Sequence, residues 1–308
     1  MAINWRPILN WVANENQYDP SSPVPDKIEW VRTLPFVFLH LSCLLVFVVG
    51  FSWVAFTTCI SLFFIRMFAI TGIYHRYFSH KTYSLNRFWQ FVFGILGASC
   101  VQRGPLWWAS HHRQHHMVSD QPEDAHSPSQ HGFWWSHMGW FMSNKNYSYN
   151  ANRVKDLSRF PELVFLDRYD VLVPALLFIS LFTAGKLLYL FMPQLGTNAG
   201  QMLVWGFSIS TILLFHSAVT INSLSHVFGR QRFKTADTSR NNFLLALLTF
   251  GEGWHNNHHH YPATARQGFR WWEVDLTYYI LKLLSIMGVV QNIKKLPKHV
   301  LQKNLVKS

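Results

Sequence analysis

Between Arg32 and Arg66 the chain carries no charged side chain. Extended to Tyr74, this run is too long for one membrane span of about 20 residues and fits two. Gly50-Phe51-Ser52 predicts the turn between them, with spans over roughly 32–50 and 54–76. The second emerges carrying His75. A third apolar stretch, Val171 to Met192, is interrupted only by Lys186 near its far end, where the amine can reach back to the surface. Pro193 and Gly196 close it. A fourth runs from Met202 to about Asn222 and delivers His226. Phe88–Cys100 and Phe243–Phe250 are apolar but too short to cross, and predict helices at the interface or under a cap.

Composition agrees with a membrane chain. Charged residues make up 14% of the 308, against about 25% in ordinary soluble domains. The net charge of +12 could suit nucleic acid, but no basic helix carries base-reading side chains. A basic face toward anionic lipid gives the same sum. Ten of the 27 Lys and Arg lie between His75 and Arg168 and twelve after His226, while the connection between the third and fourth stretches has essentially none. The positive-inside rule then places both termini and the central segment in the cytoplasm. The expected organisation is all-α and integral to the membrane. It has an N-terminal arm (1–31), two transmembrane helices (32–76), a cytosolic cap (77–168), two more transmembrane helices (169–225), and further cap with a tail (226–308). The arm, with Pro20, Pro23 and Pro25, reads as irregular. Cys43, Cys59 and Cys100 lie in apolar runs and read as buried small hydrophobes, not as a disulfide framework.

The chemistry lies at the ends of the apolar stretches. Histidines cluster as H-R-Y-F-S-H (His75, His80), H-R-Q-H-H (His112, His115, His116), N-S-L-S-H (Asn222, His226) and H-N-N-H-H (His255, His258, His259). Imidazole is the commonest metal ligand, and so many on one face of a membrane can hold more than one ion. Spacings of three and four set His112 beside His115 and His116 on one side of a helix, and H-N-N-H-H repeats the pattern. His75 and His80 are five apart, about 140° around an ideal α-helix. Either they serve different ions or the helix breaks between them. His40, His131, His216 and His299 read as ordinary core or surface histidines.

Several chemistries drop out. A zinc peptidase needs H-E-x-x-H, which is absent. A ferritin-like di-iron site needs two E-x-x-H motifs and two further glutamates projecting into a helix bundle. Glu123–His126 and Glu252–His255 have that spacing, but the long apolar stretches carry no glutamate to complete the set. A bis-histidine haem protein would explain paired histidines within spans, but not adjacent histidines at the surface. Imidazole-rich ligation without thiolate suits iron, copper or zinc. A multi-metal site beside a membrane points to redox chemistry on an apolar substrate, with iron and dioxygen the obvious pair.

The four histidine groups, together with G-E-G-W-H-N-N-H-H at Gly251–His259, Asp124-Ala125-His126 and the Gly132–Trp140 run, resemble the membrane fatty-acyl desaturases of the stearoyl-CoA (acyl-CoA delta-9) desaturase type. The resemblance extends from about Leu34 to Val290. Alkane hydroxylases share the plan, but their glutamate-bearing signatures are missing here. The resemblance implies two irons held by the nine histidines, with Asn222 acting through a water, and a kinked tunnel for the acyl chain. It implies that dioxygen and two electrons remove hydrogen from adjacent methylenes to leave a cis double bond, with carbon 9 the default. Asp124 and Glu252 would orient ligand imidazoles. Gln102 and Trp108 would line the tunnel kink, and Phe63 and Met67 its closed end. The acyl-CoA enzymes carry an Arg-Asp pair where this chain has Ser110-His111, and an Arg-Lys pair where it has Asn144-Lys145. Arg103 and Lys145 are the cations left to meet a head group. An acyl-CoA substrate is expected, with an acyl-lipid or acyl carrier protein substrate and a hydroxylase as alternatives; a membrane haem or metal-binding protein is the non-enzymatic one. No ferredoxin-type cysteine cluster or haem domain is read in the chain. Electrons would come from a separate carrier, a ferredoxin or a b-type cytochrome with its reductase, docking on the basic cap.

Overall fold

The computed structural model describes residues 12–16, 18 and 26–306, so most of the expected irregular arm lies outside the described residues. Among the described residues there is no strand, only isolated bridges such as Ile28 with Ser143. Four helices are long and apolar enough to cross a membrane: α1 (Trp30–Val49), α2 (Trp53–Ser79), and, beyond the short helices α3 (Arg87–Ala98), α4 (Pro105–Val118) and α5 (Pro161–Arg168), α6 (Leu172–Phe191) and α7 (Ala199–His226). Three more short helices follow: α8 (Phe243–Leu248), α9 (His255–His260) and α10 (Leu276–Ile286). The outer faces of the long helices are apolar and bare. Phe47 is 86% and Phe191 76% exposed, as lipid contact requires and water would not favour.

The turns opposite the histidines are closed by short polar links. Gly50 takes φ 71°, a conformation that costs glycine little. Ser52 then caps α2 by accepting from Ala55 N at 3.3 Å, and it bonds Thr197 at 2.6 Å across to the start of α7. There Asn198 and Gln201 form a reciprocal capping box.

At the other end the short helices pack over the mouths of the long ones. α3 buries Gln90, Phe93, Gly94, Gly97 and Ala98. It passes so close to α2 that a Cβ at Gly97 would collide with the Tyr74 ring. α8 buries only Leu245 and Ala246 and exposes Phe243 and Leu244. Met67, Ile73, Tyr74 and Phe78 of α2 join Leu106 of α4, Leu163 of α5, Leu214 of α7 and Leu281 of α10 in one buried cluster. Leu106 and Leu163, outside the membrane-spanning helices, each contribute about 1.5–3 kcal/mol when withdrawn from water. Cys59 and Cys100 are buried thiols, whereas Cys43 is only half-buried.

Candidate metal centre

α2 does not stay α-helical. From Ala69 to Ser79 it winds as a π-helix, and the His80 N–H donates to the His75 carbonyl at 3.2 Å. That is an i to i+5 bond, which brings residues five apart onto one side. His75 and His80 therefore fall in one group without a break between them. The wider winding puts their rings 4.8 Å apart, centroid to centroid.

α4 begins at Pro105, and its first turn is capped from another helix: Asp167 Oδ1 accepts from Leu106 N at 2.9 Å and Trp107 N at 2.8 Å. Its histidines split. His112 and His116 are i, i+4 neighbours with centroids 4.7 Å apart, whereas His115 points aside, 6.2 Å from His112. α9 divides likewise, His258 to one side and His255 with His259 to the other. Consecutive residues are about 100° apart on a helix, so each adjacent pair straddles two sites. The intervening asparagines pin α9. Asn256 Oδ1 accepts from the backbone of Arg232 and Phe233 at 2.8 and 2.7 Å. Asn257 Nδ2 donates to Gln267 O and Glu273 Oε2, both at 2.9 Å.

The nine histidines thus form two groups able to hold metal: His75, His80, His112, His116 and His258, and His115, His226, His255 and His259. Within each group the candidate ligand atoms lie within 4.8 Å of one another. Carboxylates fix the tautomers. His75 Nδ1 donates to Glu252 Oε2 at 2.5 Å, His115 Nδ1 to Asp124 Oδ2 at 3.0 Å, His226 Nδ1 to Asp120 Oδ2 at 3.3 Å and His259 Nδ1 to Asp237 Oδ2 at 2.8 Å. A carboxylate can only accept, so in its neutral form each of these rings turns a bare Nε2 inward.

Those inward nitrogens fit a cation. His258 Nε2 faces His75 Nε2 at 3.0 Å and His116 Nε2 at 2.9 Å. One nitrogen carries at most one proton, and His75 Nε2 has none, so hydrogen bonding does not satisfy all three. His259 Nε2 is buried with no hydrogen-bond partner. A metal ion accepting these lone pairs satisfies them together, and ligand imidazoles held by carboxylates are the usual support of such ions. Burial, reinforced by the neighbouring rings, pushes the pKa of His112, His116, His255 and His258 well below the ordinary histidine value. They stay neutral and available as ligands. Burial works against the charge on Asp124 and Asp237, but His115 and His259 outweigh it and hold both acids ionised.

The sequence reading named Asp124 and Glu252 but missed Asp120 and Asp237. It also missed Arg76, which donates to Glu252 Oε1 at 3.0 Å and to Asp275 Oδ1 at 2.9 Å. None of these pairings has a local spacing: Asp120 and His226 are 106 positions apart.

Both groups open onto an apolar cavity of about 310 Å³. Gln102 and Trp108 line it, with the Trp108 ring stacked on His112 at 5.0 Å. Asn222 lines it as well, as do His115 and His255. Met67 lines its far end, but Phe63 does not: one turn further from the histidines, it packs against Phe64 instead. Arg103 lines the mouth, where it pairs with Asp170 at 3.2 Å. Lys145 stays outside, its amine 4.0 Å from Asp26. The second cation at the mouth is Arg32, unnoticed in the sequence, lying over the Tyr147 ring at 4.4 Å.

Comparison with known proteins agrees with this architecture. The family model described as "Fatty acid desaturase" matches residues 51–285. An acyl-CoA 5-desaturase of Anemone leveillei is 35% identical over 89% of this chain and 87% of its own. An sn-1 stearoyl-lipid 9-desaturase of Anabaena variabilis is 35% identical over 87% of this chain and 94% of its own. A delta-9 acyl-lipid desaturase of Arabidopsis thaliana is 34% identical over 87% and 84%. With its imidazole groups set over an apolar cavity at the end of four long helices, the chain belongs to the fatty acid desaturase family.

Proposed function

We propose that the protein is an oxygen-dependent desaturase that inserts a cis double bond at carbon 9 of a saturated acyl chain, with acyl-CoA as the favoured substrate. The observation that carries this reading is the opening of two imidazole groups onto one apolar cavity. Imidazole donors with carboxylate support suit two irons. One would be held by His75, His80, His112, His116 and His258; the other by His115, His226, His255 and His259, with Asn222 reaching it through a water. Bound there, the irons would supply the oxidant that takes two hydrogens from adjacent methylenes, at the expense of dioxygen and two electrons.

The remaining work belongs to the chain. Methylenes are chemically alike, so selection is positional. Gln102 and Trp108 line the cavity where Trp108 stacks on His112, the place the family's tunnel kink would occupy, and Met67 lines it about two turns below His75. Arg103 and Arg32 at the mouth would meet an anionic head group. Lys145 would meet only a head group that reaches across the surface. The carboxylates hold the orientation of His75, His115, His226 and His259 and leave the inward nitrogens of these four rings free of a proton.

An acyl-lipid substrate is the second reading. It is favoured by the mouth's place beside the first turn of α1 and the residue pair Asp170-Val171 just before α6, and by the relatives whose names specify lipid-linked chains. The basic face is read as cytoplasmic and the protein as multi-pass. An acidic ferredoxin or b-type cytochrome would dock there and deliver electrons.

The deciding experiment expresses the chain in a host that lacks its own desaturase and locates new double bonds in each lipid class. A bond at carbon 9 of acyl-CoA-derived chains supports the first reading, and bonds confined to glycerolipid-linked chains support the second. Products that gain an oxygen instead of losing two hydrogens would make it a hydroxylase. A haem band in the purified protein would make it a haem protein.

A further inference from the structure

Arg66 lies within α2, in a stretch long and apolar enough to cross a membrane, and 0% of its surface is exposed. Its hydrogen bonds all end on neutral oxygens. Nε donates to Leu62 O at 3.3 Å, Nη1 to Ser99 O at 3.3 Å and to Thr211 Oγ1 at 2.8 Å, and Nη2 to Ser210 Oγ. Ser210 uses its own proton on the Gly206 carbonyl, so it is left to accept. A guanidinium inside a membrane segment without a counter-charge is unfavourable, and an apolar side chain of the same volume would fill the space more cheaply. An ionisable residue kept at such a place marks function.

What Arg66 joins indicates which function. Its bonds tie α2 to the loop after α3 and to α7. All three elements line the acyl cavity: Met67 from α2 and Thr211 and Ile212 from α7 at the end away from the mouth, and Val101 and Gln102 from the loop beside Arg103. Met67 is the sequence neighbour of Arg66. It lines the cavity about two turns below His75, and Thr211 lines it about four turns below His226. Thr211 thus belongs both to the cavity lining and to the arginine's hydrogen-bond set.

We infer that Arg66 is a specificity-determining positioning residue, which clamps the far wall of the acyl cavity and so sets the length of chain the enzyme accepts. It does not touch the substrate; it acts through Thr211 and Met67. The inference rests on the desaturase reading. The head group is held at the mouth, so loosening the far wall changes the tolerated length and leaves the double bond at the same carbon counted from the head group.

The test uses the full chain in membranes of a desaturase-deficient host, fed saturated chains that differ by two methylenes. Arg66→Ala is expected to raise the ratio of longer- to shorter-chain products about tenfold, the scale on which pockets discriminate a methylene or two. Thr211→Val keeps the side-chain shape but removes the acceptor, and is expected to shift the ratio the same way by less. Double-bond position should not move in either. An equal fall of all products, with the length ratio unchanged, would reduce Arg66 to a structural tie and overturn the inference. If Arg66→Ala does not accumulate, Thr211→Val decides by the same ratio. If the unmutated chain makes no double bonds, the desaturase reading fails first.

Discussion

The five-imidazole group around His258 and the four-imidazole group around His255 share two helices, α4 and α9, yet are supported differently. In the first, one ring in five, His75, rests on a carboxylate, and that acid, Glu252, is itself bonded by Arg76. In the second, three rings in four rest on Asp120, Asp124 and Asp237. One site gains its hold from ligand number; the other has fewer ligands and more negative charge behind them. A carboxylate behind an imidazole makes it a stronger donor. The two groups would therefore offer different environments to chemically identical ions. The arrangement suits a centre whose two metals are not interchangeable.

The largest expected effect tests the division itself. His258→Ala should remove the ion of the first group and His255→Ala that of the second. Each variant should lose about half the bound iron and nearly all activity, since the ligand set of one site is broken. Iron analysis on purified protein checks this. Retention of full iron by either variant would break the assignment of rings to sites.

Next come the supporting acids, whose loss typically costs about 10–100-fold in metal affinity or activity. Glu252→Gln removes the only carboxylate that, among the described residues, bonds a ring of its group, and should fall near the upper end. Asp120→Asn leaves Asp124 and Asp237 in place and should fall near the lower end. Chelator competition alongside turnover in membranes would sharpen the comparison. Equal losses would mean that charge does not distinguish the sites.

A smaller effect is expected beneath the first group. Met67 stands at the far end of the cavity on the helix that carries His75. Met67→Ala should lengthen the preferred acyl chain, with a several-fold change in product ratio. An unchanged product profile with fed substrates would count against it.

The sequence exposed what repeats locally and concealed what the fold assembles. Long uncharged runs showed the membrane helices because lipid tolerates little else. H-x-x-H-H showed α4 and α9 because helical neighbours recur at three and four. The His75–His80 spacing was legible but misleading, since an α-helical period does not describe a π-helical segment. Asp120 and Asp237 sit in loops, with no period to betray them, and meet their histidines only in three dimensions. Phe63 was placed by analogy along the helix, but it lies one turn beyond Met67 on the same side, past the residues that line the cavity, and its ring packs against Phe64. Arg32 marked the edge of an apolar run and nothing in its neighbours announced the cavity mouth.

The smallest expected effect concerns a residue that serves both groups at once. α4 gives His112 and His116 to one group and His115 to the other, and Asp167 caps its first turn. Burial pushes the Asp167 carboxyl up, the Trp107 N–H pulls it back, and the net value is about 6. An acid raised in the folded state binds its proton there more readily than in the unfolded chain, where its pKa is about 3.9. The resulting contribution to stability is present in full below about pH 4 and lost as pH rises through about 6, a change on the order of 2–3 kcal/mol. Asp167→Asn keeps a carbonyl oxygen for the two N–H groups but cannot titrate. Melting curves of the two proteins in detergent should differ in slope across this interval: unmutated protein should lose stability relative to the variant as pH rises. Protonation of buried histidines acts equally on both proteins, so the difference isolates Asp167. Parallel pH profiles would show that the carboxyl ionises in the fold as easily as in water, with the helix start compensating for its burial. Both metal groups should keep their iron either way, because the change leaves all nine rings in place.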